Sequence, residues 1–410
     1  MKTNLSSALR SRAAHAPSLL RSTLYALTLY GLSAHSTLAQ TWQTVDTYQY
    51  VPGLSSGNYG LTVAPSGVVW ACGWGDDGTN GDHGLVLASA DGGNTWSAPL
   101  DDFTVLNASV EDANGMTSDA AGNLYVAGYY YFDTGPAQQF VRRSADGGAT
   151  WSIVDNLAQD IGAVTAAKPQ GLTTDSAGNV YFAAGKITFN SSGAASYYWV
   201  MRKGTGGTNF ATVDSFTTGG STAQAVFAHP TAGVFAVGNA NIAVKSGSTT
   251  AWLVRRSLDG GASWSNVDTF QYSSGIPSYA QGIGADAHGN LYVVGYANVT
   301  TKKGSTYQTT HHWLVRKSSN GGASWSTVED FAGGQPGAFA ADSNGNLFVA
   351  GIASTAWTVR ESLAGSGTWQ TVDTFNGGAA SLAANAQGYV FVGGYGADST
   401  GVDHWLVRKH

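Results

Sequence analysis

Carboxylates are the residues of this sequence best suited to chemistry, and most of them recur at fixed places in a repeated pattern. Nine outside that pattern fall on the loops of one expected face: Asp76, Asp77, Asp82, Glu111, Asp112, Asp133, Asp160, Asp398 and Asp403. Glycoside cleavage needs two carboxyls about 5–9 Å apart, one protonated and one ionised. Glu111 or Asp112 with Asp76 or Asp133 is the combination that neighbouring loops could hold at that distance. The run Asp76-Asp77-x-x-Asn80-x-Asp82 also clusters oxygen ligands suited to Ca²⁺, although its spacing is not that of an EF-hand. A plainer role fits the same acids, since charge on exposed loops commonly serves solubility alone.

Amides and a phenol form the second group. Asn114, Gln170, Gln224 and Gln281 each stand five residues before a recurrent turn, and Tyr59 occupies the matching place in the first repeat. Amides suit sugar hydroxyls through hydrogen bonds, and aromatic rings suit the apolar faces of sugars. A ring of amides bonding neighbouring backbone is the structural alternative. His83, His312 and His404 also share one repeat position. Equivalent points on sheets ~10 Å apart cannot meet at one zinc ion without large loop bending, so these histidines are expected at the solvent rim.

The elements that must position these residues follow from internal repetition. An aromatic residue followed by a short strand recurs at Trp42, Trp96, Trp151, Phe210, Trp264, Trp325 and Trp369. Five of these open W/F-x-x-V-D/E-x-aromatic, as in WQTVDTY from Trp42 and WSNVDTF from Trp264. Asp-x-x-Gly-Asn turns at Asp119, Asp175, Asp286 and Asp342 precede alternating apolar runs such as LYVAG and LYVVG. A further strand carries Trp252 (WLVRR), Trp313 (WLVRK), Trp357 (WTVRE) and Trp405 (WLVRK). Each repeat thus holds four short strands with period-2 patterning, and no stretch reads as an amphipathic helix. A four-stranded sheet cannot bury both faces alone, but a ring of such sheets can.

The expected fold is therefore all-β: a seven-bladed β-propeller of four-stranded antiparallel blades spanning 40–410. The chain ends after a third strand, Trp405 to Lys409, and opens with a lone fourth strand from Trp42. The N-terminal strand is expected to complete the last blade and remove an exposed sheet edge.

Between third and fourth strands runs Ser-x-Asp-Gly-Gly-x-Ser/Thr-Trp, from Ser89, Ser144 and Ser257, with a near-match from Ser318 and degenerate forms from Lys203 and Ser362. Asp91, Asp146 and Asp259 can accept their own turn's amides while the paired glycines supply φ > 0, which commits them to folding. With this motif in register, residues 40–410 resemble the Asp-box (BNR-repeat) propellers of the sialidase-like superfamily. The resemblance implies sialidases, other glycoside hydrolases, lectin-like binders or assembly factors as functional relatives. Sialidases of that superfamily carry an Arg-Ile-Pro motif, an arginine triad and a Tyr/Glu nucleophile pair. This chain has no Arg-Ile-Pro, and Arg142, Arg202, Arg255, Arg316, Arg360 and Arg408 occupy one strand position, so they read as blade structure. Sialidase activity proper is not expected.

Charge and the N-terminus bound the partners. Lys2, Arg10, Arg12 and Arg21, the apolar run Leu24–Leu32 and the small residues up to Ala39 have the layout of a signal peptide, 1–39, cleaved near Ala39. The run is far short of the ~20 residues a membrane-spanning helix needs. Removing 1–39, with four cations and no acid, takes the net charge from −6 to −10. That acidity argues against nucleic acid. The single cysteine, Cys72, excludes an intramolecular disulfide framework. In the expected ring, the unpatterned acids fall on blades 7, 1 and 2 and the entry to blade 3. Lys186, Lys245, Lys302 and Lys303 fall on blades 3 to 5 of the same face. Three readings follow: a secreted or periplasmic monomer that binds a glycan or other polar ligand around the channel; a glycoside hydrolase or lyase using blade 1–2 carboxylates; and an extracellular assembly scaffold. Beyond the Ca²⁺ candidate, no cofactor is implied.

Overall fold

Alternation along the first strand of each repeat sets the inner wall of a ring. In Ser278–Ala285, buried and half-buried residues alternate, as expected of a strand with one face on a core and one on a channel. The next strand, from Leu291, begins with five consecutive buried residues because both its faces are covered by neighbouring sheets. The computed structural model describes residues 41–410 except 80, 106–109, 132–137, 158–170, 217–219 and 246, with backbone alone for 110, 111, 131 and 189. The expected leader, 1–39, lies outside the described residues.

Among the described residues, seven four-stranded antiparallel sheets are present, and helical structure is confined to short turns. The innermost strands of blades 1 to 7 are Ser56–Val63, Val110–Ser118, Gly171–Thr174, Ser221–His229, Ser278–Ala285, Gly334–Ala341 and Gly378–Ala384. Each touches the innermost strands on either side, and the last touches the first, so the ring is closed. Closure is by the N-terminal strand. Gln43–Tyr48 pairs antiparallel with Asp403–Lys409, placing Tyr48 opposite Trp405.

The Val-Asp motif explains how blades adhere. Adjacent strand residues ordinarily face opposite ways, but each Val sits at a β-bulge that lets Val and Asp face the same neighbour. Val213 packs in the core shared with blade 4, and Asp214 accepts two hydrogen bonds from Arg255 of that blade, at 2.7 and 2.9 Å. The aromatic two residues beyond the acid lies on the same face. Arg255 stacks over Phe216 at 4.8 Å and Arg316 over Phe270 at 4.0 Å. The same pairing joins Asp101 to Arg142, Asp155 to Arg202, Asp268 to Arg316, Glu329 to Arg360 and Asp373 to Arg408. The third-strand tryptophans fill the space beneath. A Cβ on Gly295 would lie 2.0 Å from Tyr279 O and 2.6 Å from Trp252, so that close approach requires glycine.

The seventh seam differs. Register places Leu87 of blade 1 where the other blades carry arginine: Leu87 faces Ala71 as Arg408 faces Val392. Asp46, the corresponding acid, has no arginine, and its Oδ2 is buried without a hydrogen-bond partner. Burial pushes its carboxyl up to about 7, with only the Thr47 amide acting against it.

Candidate functional site

The channel side chains are presented by a second set of bulges. In six blades the innermost strand skips one residue in its pairing: Tyr59, Asn114, Gln224, Gln281, Gly337 and Ala380. Bulges re-aim a side chain out of the ladder. Tyr59, Asn114, Gln281, Gly337 and Ala380 all line one cavity of about 210 Å³ on the ring axis. Gln224 is half-buried, and in its blade Ala225 and Val226 line the cavity instead. Gln170 lies outside the described residues. The level of polar groups anticipated from the repeat is thus a sector, from Tyr59 through Asn114 to Gln281, facing small residues of blades 6 and 7. Asn114 lines that cavity, and its Oδ1 is buried without a hydrogen-bond partner among the described residues.

Acids gather beside Tyr59 on blades 1 and 2. Asp76 and Asp82 stand directly opposite each other across the blade 1 hairpin. Asp82 is half-buried; burial first, then the like charges of Asp112 and Asp76, push its carboxyl up to about 6 against the pull of His83. Asp112 is only 4% exposed and accepts a hydrogen bond from Tyr129 Oη at 2.9 Å. Burial and then the charge of Asp112 drive the Tyr59 phenol upward, with Asp82 adding to it.

The expected acid pair is therefore redistributed. Asp112 is in the group, but Asp76 accepts its own loop's Gly78 amide at 2.7 Å and Asp77 accepts from Thr79 at 2.7 Å. Asp82, grouped in the sequence only with the Ca²⁺ candidate, carries the raised carboxyl. Glu111 pairs through its backbone with Tyr130, and its side chain lies outside the description. Asp133 and Asn80 also lie outside the described residues. Among the described residues, no group of three or more His, Cys, Asp or Glu has an arrangement that could hold a metal ion.

Sequence reasoning missed a duplicated site. His83 Nδ1 lies 2.6 Å from Asp102 Oδ1, Tyr50 Oη donates to Asp102 Oδ2 at 2.8 Å, and the Tyr50 and His83 rings lie 4.7 Å apart. His312, Asp330 and Tyr272 repeat this in blade 5, with 2.7, 2.9 and 4.7 Å. The signal was the shared Gln-Tyr at Gln49-Tyr50 and Gln271-Tyr272. These histidines are not loose rim residues: their side chains are 15% and 19% exposed and held by carboxylates. His404 is held instead by Asp398, at 3.1 Å. Burial opposes the charged form of His83, but hydrogen bonds to Asp102 and Asp77 outweigh it and raise its pKa.

The basic side of this face is built by long hairpins. In blade 5, Leu291–Lys303 and Thr306–Ser318 run 13 residues each and expose Tyr307, with Lys302 over its ring at 5.9 Å. Blades 3 and 4 project Val180–Phe189 with Ala195–Gly204, and Gly233–Val244 with Gly247–Ser257.

Known proteins place the fold. No family model matches the chain, and no curated protein matches it. Among solved structures, a mutant α-L-arabinofuranosidase from Fusarium graminearum in complex with an iminosugar inhibitor is similar, at 11% identity and a TM-score of 0.53. The match covers 89% of this chain and 96% of that one. The same organism's α-L-arabinofuranosidase with arabinobiose gives 12% identity and 0.52, over 89% and 97%. YCF48 bound to D1 peptide gives 13% and 0.50, over 90% and 95%. The likeness is one of fold: a seven-bladed propeller, shared by glycoside hydrolases and by a peptide-bound protein.

Proposed function

We propose that this chain is an exported, monomeric Asp-box propeller, cleaved near Ala39, that binds a glycan on the loop face around its channel. One observation carries the reading. Bulges on separate blades bring Tyr59, Asn114 and Gln281 into the lining of a single cavity, where Asn114 Oδ1 has no partner among the described residues. Binding sites combine an apolar wall with a few convergent polar groups of this kind. The acidic blades 1 and 2 and the lysine- and tyrosine-bearing hairpins of blades 3 to 5 flank that mouth and add contacts for a polar chain.

A glycoside-cleaving reading is favoured by one specific feature, the carboxyl of Asp82 raised beside Asp112. In that reading Asp82 is the general acid and Asp112 the ionised partner.

A glycan array run beside reducing-end release from mixed polysaccharides, arabinan included, separates these readings. The expected result is saturable binding that weakens about tenfold or more in Asn114→Ala and Gln281→Ala, the loss of hydrogen bonds to the ligand. Sugar release abolished by Asp82→Asn would establish the enzyme reading instead. Binding without release would remove it for those substrates. Silence in both assays would overturn glycan recognition and favour an assembly scaffold.

A further inference from the structure

The turns between third and fourth strands show what blade 6 lacks. In blades 1, 2, 4 and 5, the serine opening the turn donates its hydroxyl to the side chain two residues on: Asp91, Asp146, Asp259 or Asn320, at 2.8–2.9 Å. The same oxygen accepts the amide of the turn's second glycine, Gly93, Gly148, Gly261 or Gly322, at 2.7–2.9 Å. Those glycines have φ of +88° to +97°, which only glycine adopts readily. Blade 6 has Ala364 in place of the acid and Ser366 in place of the second glycine. Ser366 takes a right-handed helical conformation and gives its amide to Leu363 O at 2.9 Å. Ser362 Oγ loses both partners. Ser362 is 0% exposed, and its Oγ has no hydrogen-bond partner among the described residues.

That hydroxyl lines a cavity of about 140 Å³ between blades 5 and 6, on the face opposite the channel loops, with Trp369 and Lys317 also in its wall. Trp151, Trp264 and Trp325 donate their indole N–H to the turn's second-glycine carbonyl, at 3.1–3.2 Å. Trp369 Nε1, like Trp96 Nε1 of the intact blade 1 turn, is buried with no such acceptor among the described residues. Lys203 and Lys409, at the strand position of Lys317, donate to glycine carbonyls of the next blade's turn, Gly260 and Gly92, at 2.7 and 2.8 Å. Lys317 makes no hydrogen bond or ion pair among the described residues; its Nζ lies 5.4 Å from the Tyr292 ring centre. Ser362, Trp369 and Lys317 thus line one cavity with no carboxylate in its wall, and the Ser362 hydroxyl and Trp369 indole N–H are buried behind it without partners among the described residues. Asp286 is engaged by Asn290 and Tyr292, and Glu361 by Gln370.

We propose that this cavity binds a small carboxylate, of the size of acetate, which gives the Ser362 hydroxyl the kind of acceptor that aspartate supplies in the intact turns. The ligand accepts from Ser362 Oγ and Trp369 Nε1, and Lys317 supplies the compensating charge. Hydrogen bonds in which the acceptor is ionised are the strong ones, and buried donors gain most from being paired.

Titration of the full chain with sodium acetate at constant ionic strength, balanced by chloride, tests this on the ¹⁵N-labelled indole resonance that disappears in Trp369→Phe. A saturable shift with acetate and none with chloride is expected. Lys317→Met should weaken it about tenfold. The double change Ala364→Asp with Ser366→Gly, which rebuilds the internal carboxylate, should abolish it. A response to acetate no different from that to chloride overturns the proposal, and so does an unchanged response in the rebuilt turn. Once Trp369→Phe has assigned the resonance, the unaltered chain alone decides the first point, whether or not the other variants fold.

Discussion

Six seams of this ring carry an arginine from one blade into the carboxylate of the blade before it; the seventh, between blades 7 and 1, carries a leucine and a carboxylate with no arginine. Arg408, 8% exposed, bonds both oxygens of Asp373 at 2.7 Å, while Asp46 one seam further on has burial without a cation. Both acids follow a bulged valine and precede an aromatic by two residues, so local structure does not distinguish them. What differs is the partner, which teaches that the motif specifies where an acid points and not what meets it. The closing seam is instead apolar, with Leu61, Val69, Leu85, Leu87, Trp405 and Val407 in one cluster. Replacing a buried ion pair by apolar packing is often neutral or stabilising, but leaving one charge behind is not.

The largest way to break the contrast is to make an ordinary seam resemble the odd one from the other side. Asp373→Ala leaves Arg408 buried and unpaired and should cost about 3–5 kcal/mol, read from the urea-unfolding midpoint. Next comes Asp46→Asn. Because burial raises the folded pKa of Asp46 to about 7 from 3.8, the folded chain holds a proton that the unfolded chain releases between those values. Stability therefore falls as pH rises across that window. The penalty is absent below about pH 4 and complete above about pH 7. The Asp46→Asn variant should match the unaltered chain in stability at pH 4 and exceed it at pH 8 by about 2–4 kcal/mol. Equal stability of the two proteins at pH 8 would mean that Asp46 has a cation after all. The smallest effect is expected of Leu87→Arg, which gives the seventh seam the pairing of the other six. Net stability at pH 8 should move by no more than about 1 kcal/mol, since the new pair replaces good apolar packing. Its sharper signature is loss of the slope between pH 4 and pH 7, measured by the same unfolding series.

The channel and the turns show how far single residues could be read in advance. Tyr59, Asn114 and Gln281 were identifiable because each lies a constant five residues before its turn, and a constant offset in a repeat becomes a constant height in a ring. Gln224 obeys the same offset yet does not line the cavity, since the packing of its own blade decides which side chains reach the axis. The acids resisted more. Asp76 and Asp77 looked free by position, but their loop folds back on them; Asp82 looked like a loop charge, but Asp112 and Asp76 crowd it. Partnership across blades is not a short-range property. The His–Asp–Tyr pairs of blades 1 and 5 join residues from 18 to 58 positions apart, beyond any local motif.

The sequence by itself determined the strands, their number per repeat, the turns between them and the split blade that joins the two ends. Those features rest on period-2 burial, on glycine's access to positive φ and on carboxylates that accept their own turn's amides, all of which act within a few residues. Tertiary structure alone decided which buried polar groups were satisfied. Asp373 receives a guanidinium and Asp46 does not; Ser257 Oγ finds two partners and Ser362 Oγ none. Each outcome depends on a side chain in another blade or on one backbone angle, and burial turns that difference into free energy.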